Sequence, residues 1–203
     1  MWTGLKGKIG AWILNSPIRS IFTGKAKSAF LNVLSHHIKG DEVILDIGAG
    51  SGYFSLDIAE MLNTGHVICL DISNEMLNFL KNKAQKQGIN DKIKIINSDA
   101  SSIKLKDKSV NIVVSNFVLH EFTDPNIVFK EIFRVLKPNG FVIILDFLKD
   151  SKIAKKIDSR HHHGNAHGTF SVKEVEELYA KFELKNINVN VDKSWYISIG
   201  QKI

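Results

Sequence analysis

The chain has 203 residues, 44% of them apolar, which suits a single globular domain with a sizeable core. No apolar stretch approaches the roughly 20 residues that a membrane-spanning helix needs, and the lone Cys69 excludes an intrachain disulfide, so we expect a soluble, cytoplasmic protein. The formal net charge is +6, yet residues 1–40 carry six bases and no acid, and the remaining charges cancel. A neutral body argues against a nucleic-acid partner.

Residues 1–40 are predicted to form a separate basic arm with lid helices. On a helix, Lys6 and Lys8 flank an apolar face that consists of Trp2, Leu5, Ile9, Trp12 and Ile13. This pattern is typical of a helix in a membrane interface, and it suits equally a lid over a substrate pocket. We expect residues 1 to about 35 to be a mobile cover, with peripheral membrane contact through residues 1–20 as one of these two alternatives.

From Asp41 onward, short β-branched runs alternate with segments of helical period, which predicts a parallel sheet covered by crossover helices. Five strands are predicted, at 43–47, 66–71, 93–97, 110–115 and 140–147. The helices between them are predicted at 53–62, at 74–87 with Ser73 as its cap, and at 126–136 before a turn marked by Pro138 and Gly140.

The last third of the chain begins with residues 149–170, which are rich in Lys, Gly and His and are predicted to be irregular. The capping box "SVKE" then predicts a helix from Ser171 to about Phe182. Two strands at 184–191 and 194–202 follow, and we expect them to form an antiparallel hairpin.

The stretch "ILDIGAGSGYF" places three glycines, Gly48, Gly50 and Gly52, between a strand and a helix. Glycines in such a turn let a ligand approach the backbone closely. A dinucleotide site requires a small third residue in G-x-G-x-x-G, where this sequence has Tyr53. The Asp46 carboxylate repels a pyrophosphate but attracts the ammonium and sulfonium of S-adenosylmethionine, so the motif favours that cofactor.

Two further acids end the next two strands. Asp71 lies 23 residues after Gly48, where a carboxylate accepts hydrogen bonds from ribose hydroxyls. Asp99, in "NSDAS", is suited to the adenine amino group, with the Ala100 backbone at the ring edge. Open parallel sheets bind ligands at the carboxyl ends of their strands, so three acids at three successive strand ends indicate a nucleoside-bearing ligand.

With "ICLDIS", "VVSNFVLHEF" and "RVLKPNGFVIILDF" also in order, residues 40–203 resemble the class I S-adenosylmethionine-dependent methyltransferases. The resemblance implies an α/β, Rossmann-like three-layer sandwich over residues 41–203, with a seven-stranded, mostly parallel sheet whose last strand is antiparallel. It implies S-adenosylmethionine as cofactor and S-adenosylhomocysteine as product. The cofactor contacts that it implies are Asp46, Gly48, Ala49, Gly50, Gly52, Tyr53, Asp71, Ile72, Met76, Ser98, Asp99, Ala100, Asn116 and Phe117.

The methyl acceptor is predicted from what the motifs lack. "SNFVLHEF" has no proline pair of the kind that the family uses on planar amino groups, and Cys69 is misplaced for cysteine-dependent relatives. A small-molecule, quinone-like or lipid acceptor remains, and nucleic acid is not expected. His120 and Glu121 are candidates for a base or for positioning the acceptor, with His167 as a second base; a capping or packing role for His120 fits the sequence as well.

The histidine cluster around 161–167 suggests an alternative function. His161, His162, His163 and His167 have spacings that suit a transition metal, although Asp158 is the only carboxylate near them. The alternative is a non-catalytic sensor that binds S-adenosylmethionine and a metal. The favoured interpretation makes this loop a wall of the acceptor pocket, with no metal.

Overall fold

The computed structural model describes residues 17–161 and 166–203, and their elements alternate between strands and helices. The strands are β1 (Val43–Ile47), β2 (His66–Asp71), β3 (Ile93–Asn97), β4 (Val110–Asn116), β5 (Leu136–Phe147), β6 (Leu184–Val191) and β7 (Trp195–Lys202). The helices are α1 (Pro17–Ser35), α2 (Ser55–Glu60), α3 (Asn74–Gln87), α4 (Pro125–Val135), α5 (Lys152–His161) and α6 (Val172–Lys181).

The seven strands form one sheet in the order β3-β2-β1-β4-β5-β7-β6. Neighbours pair in parallel within β1–β2–β3 and within β4–β5, whereas β7 is antiparallel to both β5 and β6. The predicted α/β, Rossmann-like fold with a seven-stranded, mostly parallel sheet and an antiparallel last strand is therefore confirmed.

The chain divides into two compact units, which meet in sequence at Ala100 and Ser101. In the first, β1 and β2 are buried almost throughout, as the continuous apolar runs of parallel strands require. Helix α3 begins where the Ser73 hydroxyl accepts a hydrogen bond from the Met76 N–H at 3.3 Å, and it ends at Gly88 with φ 70°. The predicted cap at Ser73 is confirmed.

Helix α1 is part of the core of the first unit. Ala26, Phe30 and Leu34 recur at helical spacing and are at most 1% exposed. The Phe30 ring packs edge-on against Phe54 at 5.5 Å, and Lys27 forms an ion pair with Asp57 at 2.6 Å. The expectation of a mobile cover is therefore wrong for residues 26–34, because fully buried apolar side chains do not detach without exposing the core.

The apolar face predicted on Trp2–Ile13 lies outside the described residues. The boundary between arm and body at residue 40 also stays a prediction. Within the part of the chain that the structure covers, no helix combines the length and the apolar content needed to cross a membrane.

The second unit contains β4 to β7, and two predictions fail there. Residues 149–170 are not all irregular, because α5 occupies Lys152–His161, with Ala154 buried on its inner side. The turn expected at Pro138 and Gly140 is part of β5, which already begins at Leu136. Asn139 has φ 63° and the register with β4 shifts nearby, so the proline and glycine mark a bulge rather than a turn.

The capping box at the start of α6 is confirmed. The Ser171 hydroxyl accepts from the Glu174 N–H at 3.3 Å, and the Glu174 carboxylate accepts from the Ser171 N–H at 2.8 Å. This reciprocal pair satisfies two backbone donors that a helix start otherwise leaves free. It fixes the start of α6, directly after the histidine-rich segment.

Candidate active site

The glycine loop between β1 and α2 adopts a backbone that only glycine tolerates well. Gly48, Gly50 and Gly52 have φ of 73°, 54° and 84°, all in the left-handed region. The N–H groups of Gly48 and Ala49 both donate to the Leu70 carbonyl, at 2.8 and 3.1 Å, and so fasten the loop to β2. The loop is thus shaped by its own backbone and by the neighbouring strand.

Two of these glycines have different roles. A Cβ on Gly52 would lie 2.9 Å from Leu80 Cγ and 3.1 Å from Leu56 Cγ, so this glycine is required for packing. A Cβ on Gly50 would meet nothing closer than the Gly48 carbonyl oxygen at 3.9 Å. Gly50 therefore borders open space, as a backbone that receives a ligand should.

Asp71, at the end of β2, connects this loop to α3. One carboxylate oxygen accepts from the Gly50 N–H at 2.8 Å, and the other accepts from the Ser73 N–H at 2.8 Å. The side chain is half-buried, and burial raises its pKa despite the backbone hydrogen bonds. Ile72 beside it is 60% exposed, so a fixed carboxylate and an open apolar surface lie next to each other.

Asp46 is the most enclosed acid of the first unit that we predicted in the site. It is 2% exposed, and its carboxylate accepts a hydrogen bond from the Ser55 hydroxyl at 2.6 Å. Burial raises the pKa of Asp46 to about 7; the Ser55 hydrogen bond opposes this and the nearby Asp71 charge adds to it. A cationic ligand beside this buried carboxyl stabilises its ionised form. Burial, with the Asp46 charge, also raises the pKa of the enclosed Cys69 thiol.

The remaining predicted cofactor residues of the first unit have varied surroundings. The Ser98 N–H donates to the Asp71 carbonyl at 3.2 Å, which fastens the end of β3 beside that of β2. Asp99 is exposed and Ala100 is 6% exposed at this same strand end. Met76 is 5% exposed within α3, and the Tyr53 hydroxyl accepts from the Thr23 hydroxyl at 3.3 Å. Tyr53 thereby contacts α1.

In the second unit, β4 ends at a buried amide that lacks a partner. Asn116 is 6% exposed, and neither its Nδ2 nor its Oδ1 has a hydrogen-bond partner in the described parts of the chain. A buried polar group left unsatisfied costs about 1–3 kcal/mol, so this amide gains stability when it binds a polar group. Phe117 follows with φ 59°, and its ring packs on Phe147 at 4.6 Å.

His120 is held by a residue that our sequence interpretation missed. Its Nδ1 lies 2.7 Å from a carboxylate oxygen of Asp146, and its N–H donates to the other oxygen at 3.0 Å. Glu121 Oε1 is 3.6 Å from Nε2. Burial lowers the pKa of His120, but the Asp146 and Glu121 carboxylates outweigh it, so the net shift is upward. The available signal was the acid in "ILDF" at the end of β5.

His167 joins this group through its backbone rather than its ring. Its N–H donates to the Phe122 carbonyl at 2.9 Å, and the next N–H, of Gly168, donates to the His120 carbonyl at 3.1 Å. The imidazole stacks on Phe170 at 4.3 Å and lines a surface pocket of about 230 Å³ with Glu174 and others. The His167 ring is therefore not brought beside His120.

The histidine cluster is only partly within the described residues. His162 and His163 lie outside them, and so does the side chain of His161. Among residues 17–161 and 166–203, no group of three His, Cys, Asp or Glu side chains is arranged to hold a metal ion.

The fold and the glycine loop are those of the Rossmann-like class, whose members bind nucleoside-bearing ligands at the carboxyl ends of their strands. A family model described as a methyltransferase domain matches residues 38–194. The chain therefore belongs to this methyltransferase family. The prediction of a class I S-adenosylmethionine-dependent methyltransferase, with that cofactor, is confirmed at the level of the family.

The chain is similar to curated proteins over part of their length. A ubiquinone/menaquinone biosynthesis C-methyltransferase UbiE from Vibrio campbellii is 32% identical over 107 residues, which cover 52% of this chain and 41% of that protein. The protein of the same name from Blochmanniella pennsylvanica is 32% identical over 117 residues, or 57% of this chain and 46% of that one. The chain spans less than half the length of the curated relatives it matches.

Solved structures share the fold over most of the chain. A SAM-dependent methyltransferase from Aquifex aeolicus superposes with a TM-score of 0.74 at 22% identity, covering 96% of this chain and 97% of that one. A SAM-dependent methyltransferase from Methanosarcina mazei gives 0.69 at 24% identity, covering 84% and 97%. At these identities the likeness supports the fold.

Proposed function

We propose that this chain binds S-adenosylmethionine through its first unit and transfers the methyl group to a small-molecule acceptor of quinone-like or lipid character. One observation carries the proposal: the open space at Gly50, bordered by an Asp71 carboxylate that the Gly50 N–H itself holds. A ligand there meets a backbone without side chain and a fixed hydrogen-bond acceptor at once. A nucleoside uses both, because its ribose hydroxyls donate to a carboxylate at a strand end while the cofactor approaches the glycine backbone.

The residues present fit this cofactor. Each Asp71 oxygen has one N–H donor and retains acceptor capacity for a ribose hydroxyl, and exposed Ile72 offers an apolar surface to adenine. Asp46, buried in the same unit, suits the ammonium of the cofactor. When bound, the cofactor supplies a methyl group on a sulfonium, a good leaving group. The protein's part is then alignment and exclusion of water.

The proposed acceptor class rests on the second unit. Phe117 and Phe147 pack together beside His120, whose ring lies 5.4 Å from Phe147, so aromatic surface and a polar ring are adjacent. The curated relatives are named as C-methyltransferases of ubiquinone/menaquinone biosynthesis, which supports a small, quinone-like acceptor. We propose that nucleic acid is not a substrate, since residues 41–203 carry no excess charge.

We also propose that residues 1–20 place the enzyme at an anionic membrane surface or over an apolar acceptor. Lys6, Lys8 and Arg19 fall within residues 1–20, which contain no acid, and each base near an anionic surface contributes on the order of 1 kcal/mol. Binding to anionic vesicles that weakens as salt rises is the expected result. No binding at low salt, with full turnover after truncation, contradicts this proposal.

Calorimetric titration with S-adenosylhomocysteine tests cofactor binding. Asp71→Ala should weaken binding at least tenfold, because it removes the ribose acceptor and releases the Gly50 N–H. Asp91→Ala is the matched control, an exposed acid of the same unit in the turn before β3, and should bind as wild type. Binding of NAD in place of S-adenosylhomocysteine by the wild type contradicts the proposal.

A labelled-methyl screen tests the acceptor. Transfer from S-adenosylmethionine is measured into tRNA, rRNA, DNA, a lipid extract and an aqueous metabolite extract. Label should appear in an extract fraction and in none of the nucleic acids. Label in RNA overturns the proposed acceptor class and leaves the cofactor result standing.

A further inference from the structure

The buried carboxylate of Asp146 receives three N–H groups, two of them from one residue. It is 1% exposed and accepts from His120 Nδ1 at 2.7 Å, from the His120 N–H at 3.0 Å and from the Phe147 N–H at 2.7 Å. Three donors on two oxygens are the surroundings of an anion. The backbone contact fixes the turn at the same time as the ring contact fixes the imidazole.

Such a carboxylate favours a charged ring. A neutral imidazole would leave an anion buried beside it without a countercharge, which is strongly unfavourable, whereas an imidazolium neutralises the pair. The Glu121 carboxylate, 57% exposed, adds a second negative charge 3.6 Å from Nε2, too far for a hydrogen bond but close enough for an ion pair. The ring thus has a carboxylate at each nitrogen.

We infer that Asp146 is a positioning residue that keeps His120 doubly protonated, so that its Nε2–H donates a hydrogen bond to an oxyanion of the methyl acceptor, a phenolate or an enolate. The inference rests on the proposed function and deepens it. It replaces the predicted role of His120 as a base with that of a donor, because an acceptor that binds as an anion requires no proton to be removed before the methyl group is transferred. Where the methyl group goes to a ring carbon, the hydrogen of that carbon leaves as a proton to solvent afterwards. The exposed Glu121 carboxylate, 3.6 Å from Nε2, moves aside when the acceptor binds.

Other titratable groups around the pair do not change this assignment. Tyr196 faces Asp146 across β5 and β7, and its pKa is raised well above the usual value by burial first and by the Asp146 charge next, so it stays a neutral phenol. His167 approaches through its backbone, with its ring on Phe170. Among the described residues, the Asp146 and Glu121 carboxylates both raise the pKa of His120.

The inference is tested by NMR of the imidazole nitrogens of the full chain, labelled with ¹⁵N and titrated from pH 5 to 10. His120→Gln identifies the signals. In the wild type, both His120 nitrogens should stay protonated at pH 8, where ordinary histidines are neutral. Asp146→Asn should lower the midpoint by about two pH units or more, and Glu121→Gln by less than one. Asp107→Asn, an exposed acid of the same unit, should leave it unchanged.

A neutral His120 with a bare Nε2 at pH 7.5 in the wild type overturns the inference, and so does an unchanged midpoint in Asp146→Asn. If Asp146→Asn does not fold, the wild-type titration and Glu121→Gln decide, because that side chain is exposed. These readouts require no turnover. Loss of S-adenosylhomocysteine binding with a charged His120 would count against the proposed function alone.

The oxyanion is tested with 4-nitrophenolate, added to the protein with S-adenosylhomocysteine. The His120 Nε2 signal should shift with 4-nitrophenolate and not with nitrobenzene, which has the same ring but no ionisable oxygen. Glu121→Gln should bind the phenolate several-fold more tightly, since a competing carboxylate is removed. Equal responses to both probes, or no response to the phenolate, overturn the assignment of an oxyanion acceptor.

Discussion

Alanine substitutions at Gly50 and Gly52 should separate ligand binding from stability within one loop. At Gly52, an Ala with φ 84° costs about 1–2 kcal/mol for the left-handed backbone. Its Cβ at 2.9 Å from Leu80 Cγ adds about 1–3 kcal/mol for overpacking. The substitution also restricts the unfolded chain, which offsets about 0.4–1 kcal/mol of this cost, so Gly52→Ala should destabilise the fold by about 1–5 kcal/mol.

At Gly50 the same change has no clash to add. With φ 54° and no contact under 3.9 Å, Gly50→Ala should cost about 1 kcal/mol or less. Its methyl group instead fills the space proposed for the ligand. S-adenosylhomocysteine affinity should therefore fall at least tenfold, a loss of about 1.4 kcal/mol or more.

Urea unfolding followed by circular dichroism measures the stability of both variants, and calorimetry measures binding. Wild-type affinity in Gly50→Ala would show that the space over Gly50 is not the ligand site. Equal destabilisation by both substitutions would show that the clash with Leu80 is relieved at no cost, and the packing argument for Gly52 would fail.

Three further predictions concern other parts of the fold. Because the folded pKa of Asp46 is raised to about 7, the folded state holds a proton that the unfolded state releases near pH 4, so stability should fall as pH rises between these values, by up to about 4 kcal/mol. Asp46→Asn should flatten this slope in urea unfolding at pH 5 and 8; an unchanged slope contradicts the assignment. Phe30→Ala should lower the free energy of unfolding by about 3–5 kcal/mol, whereas deletion of residues 1–16 should leave S-adenosylhomocysteine binding intact. Ser171→Ala should cost about 1 kcal/mol, and no change in unfolding would show that the capping box is not needed.

Strand positions were readable from the sequence because short β-branched runs stand out between segments of helical period, both in the buried strands β1 and β2 and in the largely exposed edge strands β3 and β6. β1, β2, β3 and β6 have the predicted bounds, and α3 and α6 begin at their predicted serine caps. These features depend on neighbours within a few residues along the chain. Local chemistry was enough to locate them.

The wrong predictions concern segments in which the local sequence pattern does not indicate the structure. Helix α5 has Ala154 as the buried residue on its inner side, while Lys152, Lys155 and Lys156 are exposed, so its apolar face was too narrow to recognise. At β5, Pro138 and Gly140 indicated a turn because the sequence does not show that a bulge opposite β4 accommodates them. In both segments, contacts with residues far away in the sequence determine the secondary structure.

The same reasoning separates the two sets of site residues. A local motif predicted Gly48, Gly50 and Asp71, because the residues that set the backbone geometry of the loop are the residues of the loop itself. Asp146, the partner of His120, lies 26 residues away near the end of β5, and the sequence shows an acid there without showing that it pairs with His120. Phe117 likewise has φ 59° without a glycine or asparagine to indicate it.

The pair formed by His120 and Asp146 also explains how methyl transfer proceeds with few catalytic groups. The sulfonium is already a good leaving group, so the reaction depends on a good nucleophile in the acceptor and on the exclusion of water from the site. A phenolate or enolate meets the first condition only while its charge is stabilised, and a buried imidazolium does that without abstracting a proton. Asp146 is then as necessary as His120, because without it the buried ring loses its charge. An acid at the end of β5 is therefore a more informative sequence feature than the histidine it holds.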